Sequence, residues 1–482
     1  MRKTLCPLLC ALMMFMNICF YCSATYAEDS NTSTQTITND DYNYTLLYDG
    51  TVEIIRYVGD AVDLIIPTEI DGRKVTSIGK SAFSFCGNLT TITLPDSITL
   101  IGANPFQGCQ SLQTIIVSPD NLTLATIDGV LFSKPDKRLI CYPCAFTAES
   151  YTVPMGILSI DDYAFYFCNN LSSVTLPDSL TTIGINPFDM CSSLQTIYVS
   201  PDNPTLATID GVLFSKPDKQ LICYPCAFIA ESYTVPQGIL SIGDAAFDSC
   251  DNLTAIIFPD SLSIDNSNPF RGCRSLQTII VSPDHPTLAT IDGVLFSKPD
   301  KRLICYPRAF TAETYTVPQG ILSIGDFAFY SCENLTAITL PDSLTVIGSY
   351  AFNGCYYLTT ITLSNSLTAI GNNAFSYCGW LTDITFPDSL ITIGDYAFLA
   401  CDSFTVITLP GSLTTIGNYA FSYCENLSAI TLPESLTTIG NNAFIWSVNL
   451  TLTVFRDSYA KEYCVANGLA YNYTDTNDWL ND

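Results

Sequence analysis

Hydrophobic and polar positions repeat along this chain with a 23-residue period. From residue 335 onward one large apolar position recurs once per period, at Leu335, Leu358, Leu381, Phe404, Leu427 and Leu450. An alternating segment such as Ile-Thr-Leu follows each of them, which predicts a short β-strand with one buried face. Pro341 and its equivalents end that strand, since proline has no N–H to donate to a sheet. The pattern predicts stacked coils that bury their apolar faces against one another.

Each period is anchored by a phenylalanine that follows a small residue, alanine or proline. Twelve anchors occur, at Phe83, Phe106, Phe165, Phe188, Phe247, Phe270, Phe329, Phe352, Phe375, Phe398, Phe421 and Phe444. The residue four positions before the anchor is glycine in ten of the twelve periods, and Asp161 and Asn266 in the other two. Because these residue types tolerate a positive φ angle, we expect a left-handed backbone corner there.

A cysteine follows the anchor by three residues in eleven periods, and Ser447 replaces it in the last. In stacked coils these sulfurs would recur about every 4.8 Å. That spacing permits a disulfide, but side chains that point the same way oppose the geometry a disulfide needs. The sequence favours a column of buried thiols that pack as small hydrophobic groups.

A second, 82-residue period lies over the first. The anchors Phe106, Phe188 and Phe270 are each followed by a gap longer than one 23-residue period, as from Phe106 to Phe165. Each gap holds a near-identical insert, such as ATIDGVLFSKPDKRLICYP at 125–143. VLFS and RLICYP are predicted to be strands around a Lys-Pro-Asp-Lys turn, because proline is favoured at that position of a type I turn. We expect a β-hairpin that protrudes from the stack.

The ends of the chain differ from the repeats. Residues 1–27 combine two basic residues, an apolar run and small residues near Ala24 and Ala27, the pattern of a secretory signal peptide. We expect a disordered linker at 28–41 and an N-terminal cap at 42–80. Three 82-residue blocks at 81–334 and regular repeats at 335–455 follow, then a C-terminal cap with a helix and a tail at 456–482. No other segment approaches about 18 consecutive apolar residues, so we expect no membrane span and find no recognisable anchor.

The motif L-x-x-I-x-L-P-x-S-L-x-x-I-G-x-x-A-F-x-x-C resembles the BspA-like, or Treponema pallidum type, class of leucine-rich repeats over about residues 42–470. A period of 20–29 residues with this leucine spacing is typical of leucine-rich repeats. The predicted fold class is a β-rich α/β solenoid, a right-handed superhelix of 23-residue turns with inserted β-hairpins. The resemblance implies a surface or secreted protein that adheres to host matrix proteins, such as fibronectin and fibrinogen, or to other microbes.

The chain is strongly acidic, with 19 basic and 46 acidic residues and a net charge of −27. Such a surface repels phosphate backbones and anionic membranes, so nucleic acid is excluded as a partner. Seventeen basic residues remain beyond Arg2 and Lys3, and nine of them lie in the inserts, at 134–138, 216–219 and 298–308. The predicted hairpins are therefore basic sites on an acidic chain.

The sequence offers little catalytic chemistry. The only histidine, His285, aligns with Asn121 and Asn203 of the other blocks, so neither catalysis nor metal binding is expected of it. An aspartate column could hold calcium or cap turns, and turn capping is favoured; it comprises Asp96, Asp178, Asp260, Asp342 and Asp388. We expect no cofactor, no metal and no enzymatic activity.

Two Cys-x-x-Cys pairs, Cys141–Cys144 and Cys223–Cys226, have the spacing of redox dithiols and of half a zinc site. Redox pairs usually open a helix, whose dipole stabilises the thiolate. Here each pair closes a predicted strand, and the third copy has Arg308 in place of the second cysteine. Structural thiols or a local disulfide are favoured, with zinc binding and redox catalysis as alternatives.

Two groups of side chains are candidate ligand contacts. Aromatic residues are rich in contact energy at interfaces, although they also cover a ridge by packing. The aromatic group lies near the anchors and comprises Tyr163, Phe327, Tyr350, Tyr377, Trp380, Tyr396, Tyr419 and Tyr423. The basic group lies on the inserts and comprises Lys134, Lys137, Arg138, Lys216, Lys219, Lys298, Lys301 and Arg302.

The sequence thus predicts a secreted or cell-surface leucine-rich-repeat protein that binds protein ligands, through which it adheres to host matrix or to other cells. A structural spacer of the cell surface without a ligand of its own is the alternative. A zinc or redox protein that uses the Cys-x-x-Cys pairs is the third possibility.

Overall fold

The structure, a computed structural model, describes residues 36–265 and 268–474. The predicted signal peptide, most of the predicted linker, Asn266 and the end of the tail lie outside the described residues. The chain forms a β-solenoid of about 18 turns with 23-residue periodicity. It divides into two compact units. Unit 1 comprises residues up to 217 together with 222–228, and unit 2 comprises 218–221 together with the residues from 229 onward.

The strands are short. Those of unit 1 are β1 (Ile37–Asn39), β2 (Tyr42–Leu46), β3 (Val52–Tyr57), β4 (Asp63–Ile65), β5 (Glu69–Ile70), β6 (Arg73–Ile78), β7 (Thr91–Leu94), β8 (Leu100–Ile101), β9 (Thr114–Val117), β10 (Leu124–Ile127), β11 (Val130–Ser133), β12 (Arg138–Cys141), β13 (Ser150–Thr152), β14 (Ser159–Ile160), β15 (Ser173–Leu176), β16 (Thr182–Ile183), β17 (Thr196–Val199), β18 (Leu206–Ile209) and β19 (Val212–Ser215). Strand β20 (Gln220–Cys223) lies at the division between the units.

Unit 2 contains strands β21 to β41 and one helix. They are β21 (Ser232–Thr234), β22 (Ser241–Ile242), β23 (Ala255–Ile257), β24 (Thr278–Ile280), β25 (Leu288–Ile291), β26 (Val294–Ser297), β27 (Arg302–Cys305), β28 (Thr314–Thr316), β29 (Ser323–Ile324), β30 (Ala337–Thr339), β31 (Val346–Ile347), β32 (Thr360–Thr362), β33 (Ala369–Ile370), β34 (Asp383–Ile384), β35 (Thr392–Ile393), β36 (Val406–Thr408), β37 (Thr415–Ile416), β38 (Ala429–Thr431), β39 (Thr438–Ile439), β40 (Thr451–Val454), α1 (Tyr459–Asn467) and β41 (Tyr471–Tyr473).

Parallel strands stack coil on coil, which confirms the predicted repeat. In unit 2 the order β28-β30-β32-β34 places Ile338 beside Ile361 of the next coil. A second column of two-residue strands runs β29-β31-β33-β35-β37-β39. Unit 1 stacks β13-β15-β17 in the same parallel manner. In β30 and β32 the central isoleucine is buried and the outward threonines are exposed, as the alternating pattern predicts.

The phenylalanine anchors form the core, and all twelve are buried. From Phe329 to Phe444 the rings of successive anchors lie within 15° of parallel. The Phe352 and Phe375 centroids are 5.1 Å apart at an interplanar angle of 5°, and those of Phe375 and Phe398 are 5.3 Å apart at 4°. Stacking of aromatic rings stabilises such a column beyond the area it buries.

The corner glycines are required by close packing, and the prediction of a positive φ there was wrong. Gly371 and its described equivalents have φ outside the left-handed region. A Cβ added to Gly371 would lie 2.7 Å from the carbonyl carbon of Gly348 in the preceding coil. The left-handed residues lie two positions before the anchor, for example Asn373 (φ 56°), and two positions after it, for example Tyr377 (φ 61°).

The prediction of inserted, protruding β-hairpins is not confirmed. Strands β10, β11 and β12 do pair antiparallel in sequence order. However, all four residues of β11 are buried, and β12 continues into the coil stack by pairing in parallel with β14, Arg138 beside Ser159. The third copy has the same arrangement, with β27 parallel to β29. The second strand of each predicted hairpin, β12 or β27, is therefore an ordinary strand of a coil.

A tyrosine in each of two inserts occupies the position of an anchor. These tyrosines are not among the twelve phenylalanine anchors identified from the sequence. Tyr142 lies one period before Phe165, and their rings stack with centroids 5.1 Å apart. Tyr306 stacks on Phe329 in the same way at 5.0 Å. The apparent gap between Phe106 and Phe165 therefore contains an additional coil.

The α/β part of the predicted fold class is not confirmed, because the described residues contain very little helix. The helix predicted after Val454 is present as α1. The Ser458 hydroxyl accepts a hydrogen bond from the Lys461 N–H at its start, and Gly468 ends it with φ 65°.

Candidate functional site

The cysteines of the column form hydrogen bonds between successive coils. The Cys378 thiol donates to the carbonyl oxygen of Phe352 in the preceding coil at 3.2 Å, and Cys401 donates to Phe375 at 3.2 Å. Ser447 makes the same bond to Phe421 at 2.9 Å. Burial raises the pKa of the Cys378 and Cys401 thiols. Buried thiols with a raised pKa form little thiolate and are poor nucleophiles, so Cys378 and Cys401 are structural.

Cys141, Cys144 and Cys223 of the Cys-x-x-Cys pairs are also free thiols in the structure. Cys144 donates to the backbone oxygen of Cys109 at 2.8 Å, and burial raises its pKa to about 12. Burial likewise raises the pKa of Cys141 and Cys223. These contacts match the structural alternative of the prediction, in its thiol form.

His285 is a buried turn residue. Its Nδ1 accepts the N–H groups of Thr287 and Leu288 at 3.2 and 3.0 Å, and its Nε2 lies 3.2 Å from the Pro259 carbonyl oxygen. Asn121 holds the equivalent turn of unit 1 with the same pattern: its side-chain oxygen accepts two N–H groups and its amide donates to two carbonyl oxygens. The histidine therefore mimics an asparagine, as its alignment indicates.

The aspartate column lies at the turns after the strands. Asp96, Asp260, Asp342 and Asp388 are exposed and Asp178 is half-buried. The described residues contain no group of three or more histidine, cysteine, aspartate or glutamate side chains arranged to hold a metal ion. The neighbouring serines carry the contacts between coils, for example Ser343, whose hydroxyl donates to Ile321 O at 2.7 Å.

The aromatic candidates divide by exposure. Phe327 and Tyr350 stack with centroids 4.8 Å apart and are buried, so they pack against the coils. Tyr396 and Tyr419 stack at 4.9 Å and are half-buried, as are Tyr163 and Tyr377. Tyr423 is 41% exposed. Burial raises the pKa of the Tyr377 phenol to about 12.

The aromatic positions carry a left-handed backbone. Phe327, Tyr350, Tyr396 and Tyr419 have φ between 54° and 58°, a region that non-glycine residues seldom adopt. The conformation aims the Tyr396 N–H at the carbonyl oxygen of Asn418 in the next coil, at 2.8 Å. The bond between coils explains the backbone conformation.

Sequence reasoning missed three exposed aromatic and aliphatic groups. Trp446 is 58% exposed and stacks beside Tyr423 at 6.0 Å, one period later in the same column. Tyr357 stands beside Trp380, and both are exposed. The outward face of the parallel strands also exposes Ile280. Periodicity places these residues in columns, but it does not give their exposure.

The basic candidates are mostly engaged. Lys134, Lys216 and Lys298 each donate at 2.5 Å to a backbone oxygen of their own block, at residues 121, 203 and 285. Arg138 binds the Asp161 carboxylate at 2.5 Å, and Arg302 lies 3.5 Å from that of Asp300. Lys137, Lys219 and Lys301 lie exposed at the turns, with φ of 51°, 49° and 48°.

The family model "BspA type Leucine rich repeat region (6 copies)" matches residues 66–137, 140–222, 221–302 and 322–451. The chain belongs to the BspA-type leucine-rich-repeat family. This family is a repeat scaffold, and leucine-rich-repeat proteins mediate protein binding. A comparison with curated proteins finds no match.

A comparison with solved structures matches other proteins, leucine-rich-repeat proteins among them. A leucine rich cell surface protein from Faecalibacterium prausnitzii shares 24% identity, over 93% of this chain and 100% of its own, with a TM-score of 0.41. A leucine-rich repeat protein from Bacteroides ovatus shares 23%, over 91% and 100%, with a TM-score of 0.36. The pneumococcal vaccine antigen PcpA shares 20%, over 92% and 99%, with a TM-score of 0.38.

No helix among the described residues of this family member has the length and apolar character that crossing a membrane requires.

Proposed function

We propose that this chain is a secreted or cell-surface protein whose repeats bind protein ligands, and that this binding attaches its cell to host matrix proteins or to other cells. Membership of a protein-binding repeat family supports the interaction, and the signal-peptide pattern of residues 1–27 supports export. The excess of acidic residues argues against a nucleic-acid ligand.

The observation that carries the proposal is that two parallel sheets of unit 2, β21-β23-β24 and β28-β30-β32-β34, have an uncovered outward face. Parallel sheets are usually covered on both faces. Here the outward residues of β24 and β32 are exposed, as are Ile257 of β23 and Thr339 of β30, and Ile257 neighbours Ile280 of β24. Exposed threonine hydroxyls and isoleucines on these strands offer the mixture of apolar and polar contacts that protein interfaces use, and the stacked Tyr396–Tyr419 pair offers a second, aromatic surface.

The test is binding of the chain without residues 1–27 to immobilised fibronectin, fibrinogen and whole cells. A face variant, Ile257→Thr with Ile280→Thr, introduces the residue found at the equivalent positions Thr339 and Thr362. A ridge variant, Tyr396→Asn with Tyr419→Asn, introduces the residue found at Asn373 of the same column. We expect one or both to bind at least about tenfold more weakly with unchanged melting temperature.

The exposed turn lysines form a separable second contact. Replacing Lys137, Lys219 and Lys301 with glutamine should reduce the salt dependence of binding, since opposite-charge contacts are screened over about 8 Å at physiological salt. Identical affinity and salt dependence in this variant would remove the lysines from the proposal. Absence of binding to every surface by the parent would replace adhesion with the structural spacer.

A further inference from the structure

An open cleft of about 400 Å³ lies in unit 2, at the turn that joins the anchor segment to the next strand. Residues from successive coils line it, chiefly Glu313, Glu333, Thr336, Tyr357, Thr359 and Trp380. Only Trp380 of these belongs to the aromatic candidates of the sequence.

Two aromatic residues of the cleft depart from the repeat. The residue five positions after the anchor is asparagine or serine in ten of the twelve periods, and Tyr357 and Trp380 are the exceptions. The usual residue ties its coil to the preceding one: Asn426 donates to Asp402 O at 2.7 Å, and Ser403 donates to Gly379 O at 2.7 Å. Tyr357 and Trp380 lack this hydrogen bond between coils, which contributes about 1 kcal/mol to stability, and each presents an exposed ring instead.

The rings are held in a defined arrangement. The Tyr357 and Trp380 centroids are 5.7 Å apart with the rings at 65°, and Tyr356 stands edge-on to Tyr357 at 5.2 Å. Gly379 makes room for them, because a Cβ there would lie 2.7 Å from the Tyr356 ring. Tyr357 and Trp380 nevertheless remain 43% and 49% exposed. They form a packed platform with open ring surface.

The polar lining of the cleft is rich in acceptors. Thr336 and Thr359 donate their hydroxyl protons to the backbone oxygens of Glu313 and Thr336, both at 3.0 Å. Their oxygens keep lone pairs for a ligand. The Glu313 side chain is exposed, and Glu333 adds a carboxylate that pairs with Arg308 at 2.8 Å. Residues 309–455 contain ten acidic residues and no lysine or arginine, so the surrounding charge is negative.

We propose that this cleft binds an arginine or lysine side chain on a basic segment of a protein partner. The cation lies against the electron-rich faces of Tyr357 and Trp380, and its N–H groups donate to Glu313 and to the threonine oxygens. Negative charge beside aromatic ring faces favours a cation over a neutral ligand such as a sugar. The assignment rests on the proposed protein-binding function and specifies the chemistry of the partner.

The test uses the chain without residues 1–27 and two peptides, acetyl-Gly-Arg-Gly-Arg-Gly-amide and the same peptide with citrulline, a neutral isostere of arginine. Isothermal titration should show binding of the arginine peptide that weakens as salt rises, and at least about tenfold weaker binding of the citrulline peptide. Glu313→Gln should weaken binding of the arginine peptide.

The decisive variant is Tyr357→Asn with Trp380→Ser, which restores the residue types of the other coils and their bonds between coils. It should lose the arginine peptide while its melting temperature is equal or higher. The matched control is Trp446→Ser, which removes an equally exposed ring elsewhere in unit 2 and should bind like the parent.

Equal binding of both peptides, or full binding by the restored variant, would overturn the assignment. Binding of maltohexaose by the parent and its loss in the restored variant would make the cleft a sugar site instead. If the parent binds fibronectin or fibrinogen but not the arginine peptide, only the cleft assignment fails. If it binds the peptide but no protein surface, the cleft stands and the proposed adhesion fails.

Discussion

At the scale of single residues, most residues that recur in each period make contacts between successive coils. Gly371 shows this for the backbone, since the preceding coil leaves no space for a Cβ. Gly371→Ala should therefore destabilise its coil by about 1–3 kcal/mol through overpacking. Gly411→Ala is the control, because nothing lies within 4 Å of its Cβ position. Urea unfolding that gives both variants the same stability would contradict this account of the corner.

The cysteine column yields a second prediction. Cys378→Ala removes the donor to Phe352 O and should cost about 1–2 kcal/mol. Cys378→Ser keeps a donor, as Ser447 does in its own coil, and should cost less than the alanine variant. The measurement is the free energy of unfolding of both variants in urea. A serine variant less stable than the alanine variant would show that the thiol acts by packing alone.

His285 predicts a pH dependence. Burial lowers the pKa of His285, while nearby Asp260 raises it and Lys298 lowers it. Its Nδ1 accepts two N–H groups, which protonation would prevent. A histidine with a lowered pKa is protonated more readily when unfolded. Its contribution to stability is therefore complete above the ordinary value near 6.5, and is lost as pH falls from there through the folded-state pKa.

His285→Asn is the matched variant, because Asn121 holds the equivalent turn of unit 1. Between pH 7.5 and 5.0 the parent should lose more free energy of unfolding in urea than the variant does. Parallel pH profiles of the two proteins would show that this histidine contributes no such dependence.

At the scale of elements, the phenylalanine stack sets the stability of each coil. Phe375 is completely buried between Phe352 and Phe398. Phe375→Ala should cost about 3–5 kcal/mol, as the loss of a buried aromatic ring does. Trp446→Ala is the control, since that ring is largely exposed. The urea midpoint and protease resistance of the two variants measure the difference, and equal values would show that the stack does not set coil stability.

Elements that depend on periodicity are predicted correctly from the sequence. The prediction fails where one residue type can serve two structural roles. Ile338 and Ile361 are assigned correctly, because alternation fixes which side of a short strand is buried. Gly371 was assigned to the wrong cause, since glycine serves both positive φ and close packing. Tyr142 was not recognised as an anchor because its sequence, Cys-Tyr-Pro, lacks the Ala-Phe or Pro-Phe motif of the other anchors. Strand β11 was therefore predicted to lie outside the stack.

For the candidate contact residues too, the sequence predicts the position in the repeat but not the exposure. The columns of Tyr350, Tyr396 and Tyr423 are visible in the sequence, but their exposure depends on the neighbouring coil, so Tyr350 is buried while Tyr423 is open. The Tyr357–Trp380 pair has a signal in the sequence, because it departs from an asparagine or serine column. Departures from a repeat are therefore better guides to function here than the repeat itself.

At the scale of the whole molecule, the proposed binding surface consists of the outward faces of the coils. Hydrogen–deuterium exchange of the chain without residues 1–27, with and without fibronectin or fibrinogen, measures this most directly. We expect ligand to slow exchange at successive periods, at amides of the outward strands around β23 to β32 and of the turns at Tyr357, Trp380, Tyr396 and Tyr419. No change with either protein, or protection confined to segments outside these columns, would contradict the account.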